Sequence, residues 1–174
     1  PCNGLFHFGR RVNGCNRSGR HVVAAPRVTT ENTPQPTGDI RWHEHAITRE
    51  DRWAKQNSRG CTLWLTGLSG AGKSTIANAA AHQLFAGGVP VYVLDGDNLR
   101  HGLNVDLGFS DQDRAENVRR VGEVALLLAD AGFVVFVPII SPFFAGRQAV
   151  RQRHESSGLG FAEVFIATSV EECA

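Results

Sequence analysis

The chain has 174 residues, 42% hydrophobic and 20% charged, with a formal net charge of +1. That length suits one domain with a substantial core, and the near-balanced charge carries no global signature of nucleic-acid or membrane binding. No apolar run approaches a membrane span, and four scattered cysteines (Cys2, Cys15, Cys61 and Cys173) suggest neither a zinc site nor a disulfide framework.

Residues 1–38 differ from the rest. Arg10, Arg11, Arg17, Arg20 and Arg27 face one acid, Glu31, and the segment ends in a Thr/Pro run. This composition predicts a poorly ordered leader or linker, with a transit peptide as the alternative. The sequence opens on Pro1 and holds no methionine, so an initiation site upstream is expected. Ordered structure is expected from Asp39, which divides the chain into a leader, 1–38, and one domain, 39–174. Within residues 39–57, Thr48 is a good N-cap and Asp51 completes an imperfect capping box. Trp42, Ile47 and Trp53 are expected to dock on a core. His43 and His45 flank Glu44, but without further ligands at metal-binding spacing they read as a solvated or packed pair.

Residues 61–65 (CTLWL) are apolar and β-prone. The next stretch, TGLSGAGKST at 66–75, fits the phosphate-binding loop G-x-x-x-x-G-K-[ST] through Gly67, Gly72, Lys73 and Ser74. Residues 76–85, rich in alanine and leucine, read as a helix. Strand, glycine loop and helix in that order are the context the motif requires. Glycines let successive N–H groups curl toward phosphate oxygens, and the helix start adds orphan donors and the positive end of its dipole. Lys73 then reaches the β- and γ-phosphates, and Ser74 ligates Mg²⁺.

Gly87-Gly88 ends that helix. Residues 89–94 (VPVYVL) form a second strand, ending in Asp95-Gly96-Asp97-Asn98. Ligands gather at the carboxyl ends of parallel strands. Asp95 and Asp97 are therefore candidates for Mg²⁺ and for a catalytic base, while a tight turn with a helix cap explains the same residues equally well. Ser110 can cap a helix running to about residue 131, with Val118, Val121, Ala125 and Leu128 on its apolar face. Arg114, Asn117 and Arg120 share another face. Spacing alone favours solvated charge there; an anion clamp with a polar reader is the sharper reading. Residues 133–140 (FVVFVPII) are the most hydrophobic strand, as expected for burial on both faces, with Pro138 near its end. Ser141-Pro142 follows, then a helix over 148–155 and a last strand over 162–167. Alternating strands and helices predict an α/β fold, a mostly parallel sheet with helices on both faces.

No Asp-x-x-Gly or Asn-Lys pair of a GTPase occurs, and the strand after the long helix lacks the terminal Asp of a motor-type ATPase. Acids on the strand directly after the phosphate-loop helix suit a small-molecule kinase. The chain resembles the adenylylsulfate kinase family over about residues 40–174. The resemblance is carried by Trp42-His43-Glu44, TLWLTGLSGAGKST at 62–75, LDGDNLRHGLN at 94–104, Gly108-Phe109-Ser110, DRAENVRRV at 113–121 and Ile140-Ser141-Pro142. It implies the three-layer fold of P-loop nucleoside triphosphate hydrolases. It also implies phosphorylation of the 3′-hydroxyl of adenylylsulfate by ATP with Mg²⁺. Gly67, Leu68, Ser69, Gly70, Ala71, Gly72, Lys73, Ser74 and Thr75 would bind ATP. Asp95, with Ser74, would serve the metal, and Asp97 the acceptor hydroxyl. Asp95, Arg100, Phe109, Arg114, Asn117 and Ser141 would hold adenylylsulfate, and Ser141 matches the family's phosphoserine. Direct in-line transfer, with Ser141 contacting substrate, is the preferred mechanism because phosphoryl transfer needs positioning more than covalent help.

The family usually reads Ser-Pro-Tyr-Arg-x-Asp-Arg where this chain has Phe143, Phe144 and Gly146 after Ser141-Pro142, so acceptor affinity or loop structure is expected to differ. The family also carries a lysine-rich lid and an adenine-holding segment beyond the position of Ala174, so weaker nucleotide affinity and water exclusion are expected of this stretch alone. Another small-molecule kinase of the same architecture and a weak or inactive nucleotide-binding domain stay open as alternatives. The resemblance leaves room for a homodimer and a functional link to ATP sulfurylase. The expected compartment is the cytoplasm, or an organelle if the leader is a transit peptide.

Overall fold

The computed structural model describes residues 40–41 and 43–173. The leader, residues 1–38, and Trp42 lie outside the described residues. One compact unit, Glu44–Ala174, carries the elements found among the described residues: α1 (Arg49–Gln56), β1 (Cys61–Thr66), α2 (Lys73–Ala86), β2 (Val91–Val93), α3 (Gly96–Leu99), α4 (Asp111–Asp130), β3 (Val134–Pro138), α5 (Phe144–Ser156) and β4 (Gly160–Phe165). The sheet order is β2-β3-β1-β4 and every pairing is parallel. Among the described residues, no helix is long and apolar enough to cross a membrane.

Side chains alternate across a pleated strand, so a strand buried on both faces feeds two cores. Trp64, Val135 and Val137 pack with Val118, Val121 and Ala125 of α4 and Val150 of α5. Leu65 and Phe136, one residue out of phase, pack with Ala77 and Ala81 of α2 on the opposite face. This is the expected three-layer α/β arrangement, and β3 is a central strand, as its composition predicts. Burying each of the valine, leucine and phenylalanine side chains among them is worth about 1.5–3 kcal/mol.

Some boundaries move. α2 begins at Lys73, inside the motif, because the loop itself supplies the helix start. β2 is only three residues long, since it lies at the sheet edge and pairs with β3 alone. α5 starts at Phe144, four residues before the predicted helix, with Gly146 inside its first turn. β4 spans Gly160–Phe165 because it pairs in register with the whole of β1. The four-residue α3 is not visible as a helix in the sequence, but Asp95 caps it as the alternative reading requires, accepting from the Asp97 N–H at 3.0 Å.

The capping box of α1 is complete despite its aspartate: Asp51 N–H donates to Thr48 Oγ1 (3.2 Å) and Thr48 N–H to Asp51 Oδ2 (2.9 Å). α1 is held to the end of α4 by Arg49 and Arg52, both paired with Asp130, and by Trp53 Nε1 donating to the Asp130 carbonyl at 3.2 Å. Trp53 packs against the core as expected. Ile47 does not: it is 64% exposed, because it precedes the helix and the docking contacts come from the arginines and Trp53 instead.

His154 on α5 is fully buried. Its Nδ1 meets the Val150 carbonyl at 2.9 Å, and a carbonyl only accepts, so Nδ1 carries the proton and Nε2 accepts from Thr62 Oγ1 at 3.0 Å. Burial pushes the His154 pKa below its ordinary value, with the Val150 bond opposing. A depressed histidine favours the neutral form in the fold, so its stabilising contribution is present above about pH 6.5 and is lost as pH falls below it, where the unfolded chain takes up the proton first. The melting temperature of the native chain should therefore decline more steeply from neutral to mildly acidic pH than that of His154→Gln, measured by thermal unfolding across a buffer series.

Candidate functional site

All four strands run the same way, so β1, β2 and β3 deliver their carboxyl ends to one edge of the sheet. A cavity of about 550 Å³ opens there, within the size range of small-molecule sites. One wall is the phosphate loop. Gly72 has φ 88°, a left-handed conformation that glycine adopts without strain, and it turns the chain directly into α2. No side chain caps this helix end, so its first N–H donors remain for a ligand. Ser69, Gly70, Gly72, Lys73, Ser74 and Thr75 line the cavity; Gly67, Leu68 and Ala71 belong to the loop but do not. Ala71 is buried and its carbonyl accepts from Thr168 Oγ1 at 2.9 Å, tying the segment after β4 to the loop.

Lys73 is buried, and its ammonium donates to the carbonyls of Gly67 (3.2 Å) and Leu68 (2.5 Å). Burial pushes its pKa down, while the carboxylates of Asp97 and Asp95 pull the other way. Ser74 Oγ donates to Asp95 Oδ2 at 2.6 Å. Asp95 Oδ1 is meanwhile held by the Asp97 N–H, so this carboxylate is oriented through both oxygens. Two hard oxygen donors side by side at the loop mouth suit Mg²⁺. Among the described residues, no group of three or more His, Cys, Asp and Glu could hold a metal, so a cation here would complete its shell with phosphate oxygens and water. Asp97 is exposed on the same wall.

The facing wall comes from the segment between α3 and α4. Arg100, Phe109, Arg114 and Asn117 all line the cavity. The Phe109 ring is 71% exposed, with the Arg100 guanidinium carbon 4.3 Å from its centroid. Arg100 Nη1 also donates to the carbonyls of Leu107 (3.0 Å) and Gly108 (3.1 Å), and Arg114 Nε donates to that of Phe109 (2.9 Å). Both arginines therefore shape the loop that presents the ring. The floor includes Gly96 and, from the end of β3 onward, Pro138, Ile139 and Ile140, none of which the sequence assigned to the site. Their position at a strand's carboxyl end was the available signal.

Beyond the phosphate loop, Ser141 and the candidate clamp residue Arg120 do not line the cavity. Arg120 turns away: it makes bidentate contacts with Asp106 (2.7 and 2.9 Å) and a bond to Glu116 (2.8 Å), and Arg119 and Arg120 hold the Glu116 pKa down to about 2. Three-residue spacing drifts around a helix, so the third member of the Arg114, Asn117, Arg120 set points at the loop instead. Ser141 is 2% exposed and does not line the cavity. Its hydroxyl accepts from Trp64 Nε1 (3.1 Å) and donates to Thr66 Oγ1 (2.9 Å), so the buried indole claims it. The unusual Phe144 and Gly146 also lie outside the cavity wall; Phe144 is exposed and Arg147, next to them, holds the Ser141 carbonyl at 2.6 Å.

Comparison with known proteins places this arrangement. The family model described as Adenylylsulphate kinase matches residues 59–174. A protein named probable adenylyl-sulfate kinase from Bacillus subtilis is 56% identical over 135 residues, covering 78% of this chain and 68% of that protein. The adenylyl-sulfate kinase of Yersinia pestis is 53% identical over 143 residues, covering 82% and 66%. The chain thus spans about two thirds of the length of these relatives. Among solved structures, the APS kinase of Mycobacterium tuberculosis in complex with AMPPNP and APS superposes with a TM-score of 0.65 at 54% identity, covering 67% of each chain. With a phosphate loop facing an arginine-rimmed aromatic wall, a family model matched over residues 59–174 and more than half of the aligned residues identical to these relatives, the chain belongs to the adenylylsulfate kinase family.

Proposed function

We infer that this chain is a kinase that transfers the γ-phosphoryl group of ATP to the 3′-hydroxyl of adenylylsulfate, giving 3′-phosphoadenylylsulfate. One observation carries this reading beyond family membership. A single cavity has a phosphate loop and two carboxylates on one side and a donor-rich aromatic wall on the other. That is room for two anionic substrates meeting end to end. The ligands of the Mycobacterium tuberculosis structure, an ATP analogue and APS, support the same pair here. The kinase domain we assign is residues 39–174.

The loop N–H groups and Lys73 neutralise the phosphates of ATP. Lys73 gives up its bonds to the Gly67 and Leu68 carbonyls for the β- and γ-phosphate oxygens. Ser74 and Asp95 would hold Mg²⁺, which would add charge neutralisation on the transferring group. Phe109 stacks the adenine of adenylylsulfate, and Arg100 and Arg114 pair with its phosphosulfate through donors that the loop carbonyls do not occupy. Asp97 accepts or orients the proton of the 3′-hydroxyl as that oxygen attacks the γ-phosphorus in line. Ser141 acts from behind the site: it fixes Trp64 and Thr66 at the end of β1, next to the loop, and no phosphoserine is needed.

A coupled assay with Mg²⁺·ATP and adenylylsulfate tests the reaction. Product should form, and Lys73→Ala should reduce kcat by about 10²–10³-fold, the usual loss for one charge-stabilising donor. Asp97→Ala should cost about 10²–10⁴-fold. Nucleotide binding without product from the native chain would overturn the assignment. Ser141→Ala separates the two roles of that residue. We expect turnover within about tenfold of the native chain and a stability loss on the order of 1 kcal/mol from the unpaired Trp64 N–H. Abolished turnover in a folded variant would instead support an obligatory phosphoserine.

A further inference from the structure

Asn104 lies in the segment between α3 and α4, fully buried, and outside the cavity lining. Its main chain is fixed in both directions, N–H to the Leu99 carbonyl (2.9 Å) and carbonyl from the Leu107 N–H (3.1 Å). Its side-chain Nδ2 donates to Asn117 Oδ1 at 2.9 Å, and its own Oδ1 is buried with no partner. A buried acceptor left without a donor is uncommon and calls for a reason. What the single bond of this side chain does is seen at its other end. Asn117 sits on the cavity wall, and an amide has one accepting and one donating end. With its oxygen claimed from behind by Asn104, Asn117 presents its NH₂ group to the cavity. Had the pair been turned the other way, Asn104 would place its amide nitrogen where its oxygen now lacks a partner, and Asn117 would show the cavity a carbonyl.

We propose that Asn104 is a positioning residue for adenylylsulfate, setting the polarity of Asn117 so that it offers a hydrogen-bond donor to the substrate. This rests on the acceptor substrate assigned above. The chemistry is consistent with the neighbours. Arg100 and Arg114 on the same wall are donors only, and phosphosulfate oxygens and adenine ring nitrogens are acceptors. A carbonyl turned among them would repel the same groups. Holding the loop does not require Asn104, because Arg120 ties Asp106 to α4 and Arg100 ties Leu107 and Gly108 independently.

The test is a double-mutant cycle read in two ways: titration calorimetry of adenylylsulfate onto the protein, and steady-state kinetics. Asn104→Leu removes the amide at similar volume. It should weaken adenylylsulfate binding and raise its KM by about tenfold, the scale of one well-placed hydrogen bond, with kcat and the KM for ATP within about twofold. In an Asn117→Ala background the same change should have no further effect, because its route is gone. Unchanged adenylylsulfate affinity in Asn104→Leu, or an equal loss in both backgrounds, would overturn the proposal; so would parallel losses for ATP, which would mark a general structural role. If Asn104→Leu fails to fold by thermal unfolding, Asn104→Asp carries the comparison, since a carboxylate can only accept and should turn Asn117 around, with the same loss expected. A native chain that binds adenylylsulfate without turning it over counts against the catalytic reading alone, and one that does not bind it overturns both.

Discussion

The reactive end of the molecule depends on the few ångströms where β1 gives way to α2. A parallel strand must hand its chain to a helix here, and the turn that does so leaves the helix start uncapped by any side chain. Those unspent N–H groups are tolerable only at a solvent-facing cavity and useful only to an anion. Gly72 permits the turn by its left-handed backbone, and Lys73 braces it by reaching back to the Gly67 and Leu68 carbonyls. The loop is thus held in shape before any nucleotide arrives, which lowers the ordering cost of binding.

The second half of the site is organised differently. No secondary element presents Phe109. A segment of irregular chain does, and side chains fasten it: Arg100 to its carbonyls and across the ring, Arg114 to the Phe109 carbonyl, Arg120 to Asp106. Arginine suits this because one planar fork can serve a carbonyl, a ring face and a ligand at once. Stiffness that the phosphate loop draws from backbone geometry is here drawn from cations, so this wall should be the more sensitive of the two to ionic conditions.

The sequence carries the phosphate loop almost completely, because its chemistry is local: glycines, lysine and serine act within a few residues of one another. The sheet and its two cores are legible for the same reason, since periodicity along residues 61–65 and 133–140 speaks for both faces. What escapes is set by distance along the chain. Ser141 looks reactive at a strand's end, but Trp64, 77 residues away, takes its hydroxyl. Arg120 looks like a partner of Arg114 until Asp106 is seen across the loop. Asn104 sits inside a segment that marks the family, yet nothing local says that its target is Asn117 rather than a ligand. The short α3 is invisible to propensity because capping by Asp95, not residue preference, creates it, and the early start of α5 takes in Gly146, a poor helix former.

The few polar groups behind β1 have a consequence for how the sheet is threaded. A strand that is apolar on both faces has little to tell one alignment from its neighbour, because a one-residue slip exchanges one greasy surface for another. β1 is such a strand between β3 and β4, apart from Thr62, Thr66 and the Trp64 N–H. Slipped by one position, it would bring Leu63 and Leu65 to the face where His154 and Ser141 wait, stranding a buried imidazole and a buried hydroxyl. These bonds act as an alignment gauge: weak contributors to total stability, but the interactions that make the wrong pairing expensive. Because the phosphate loop begins where β1 ends, they also set where along the sheet edge that loop emerges.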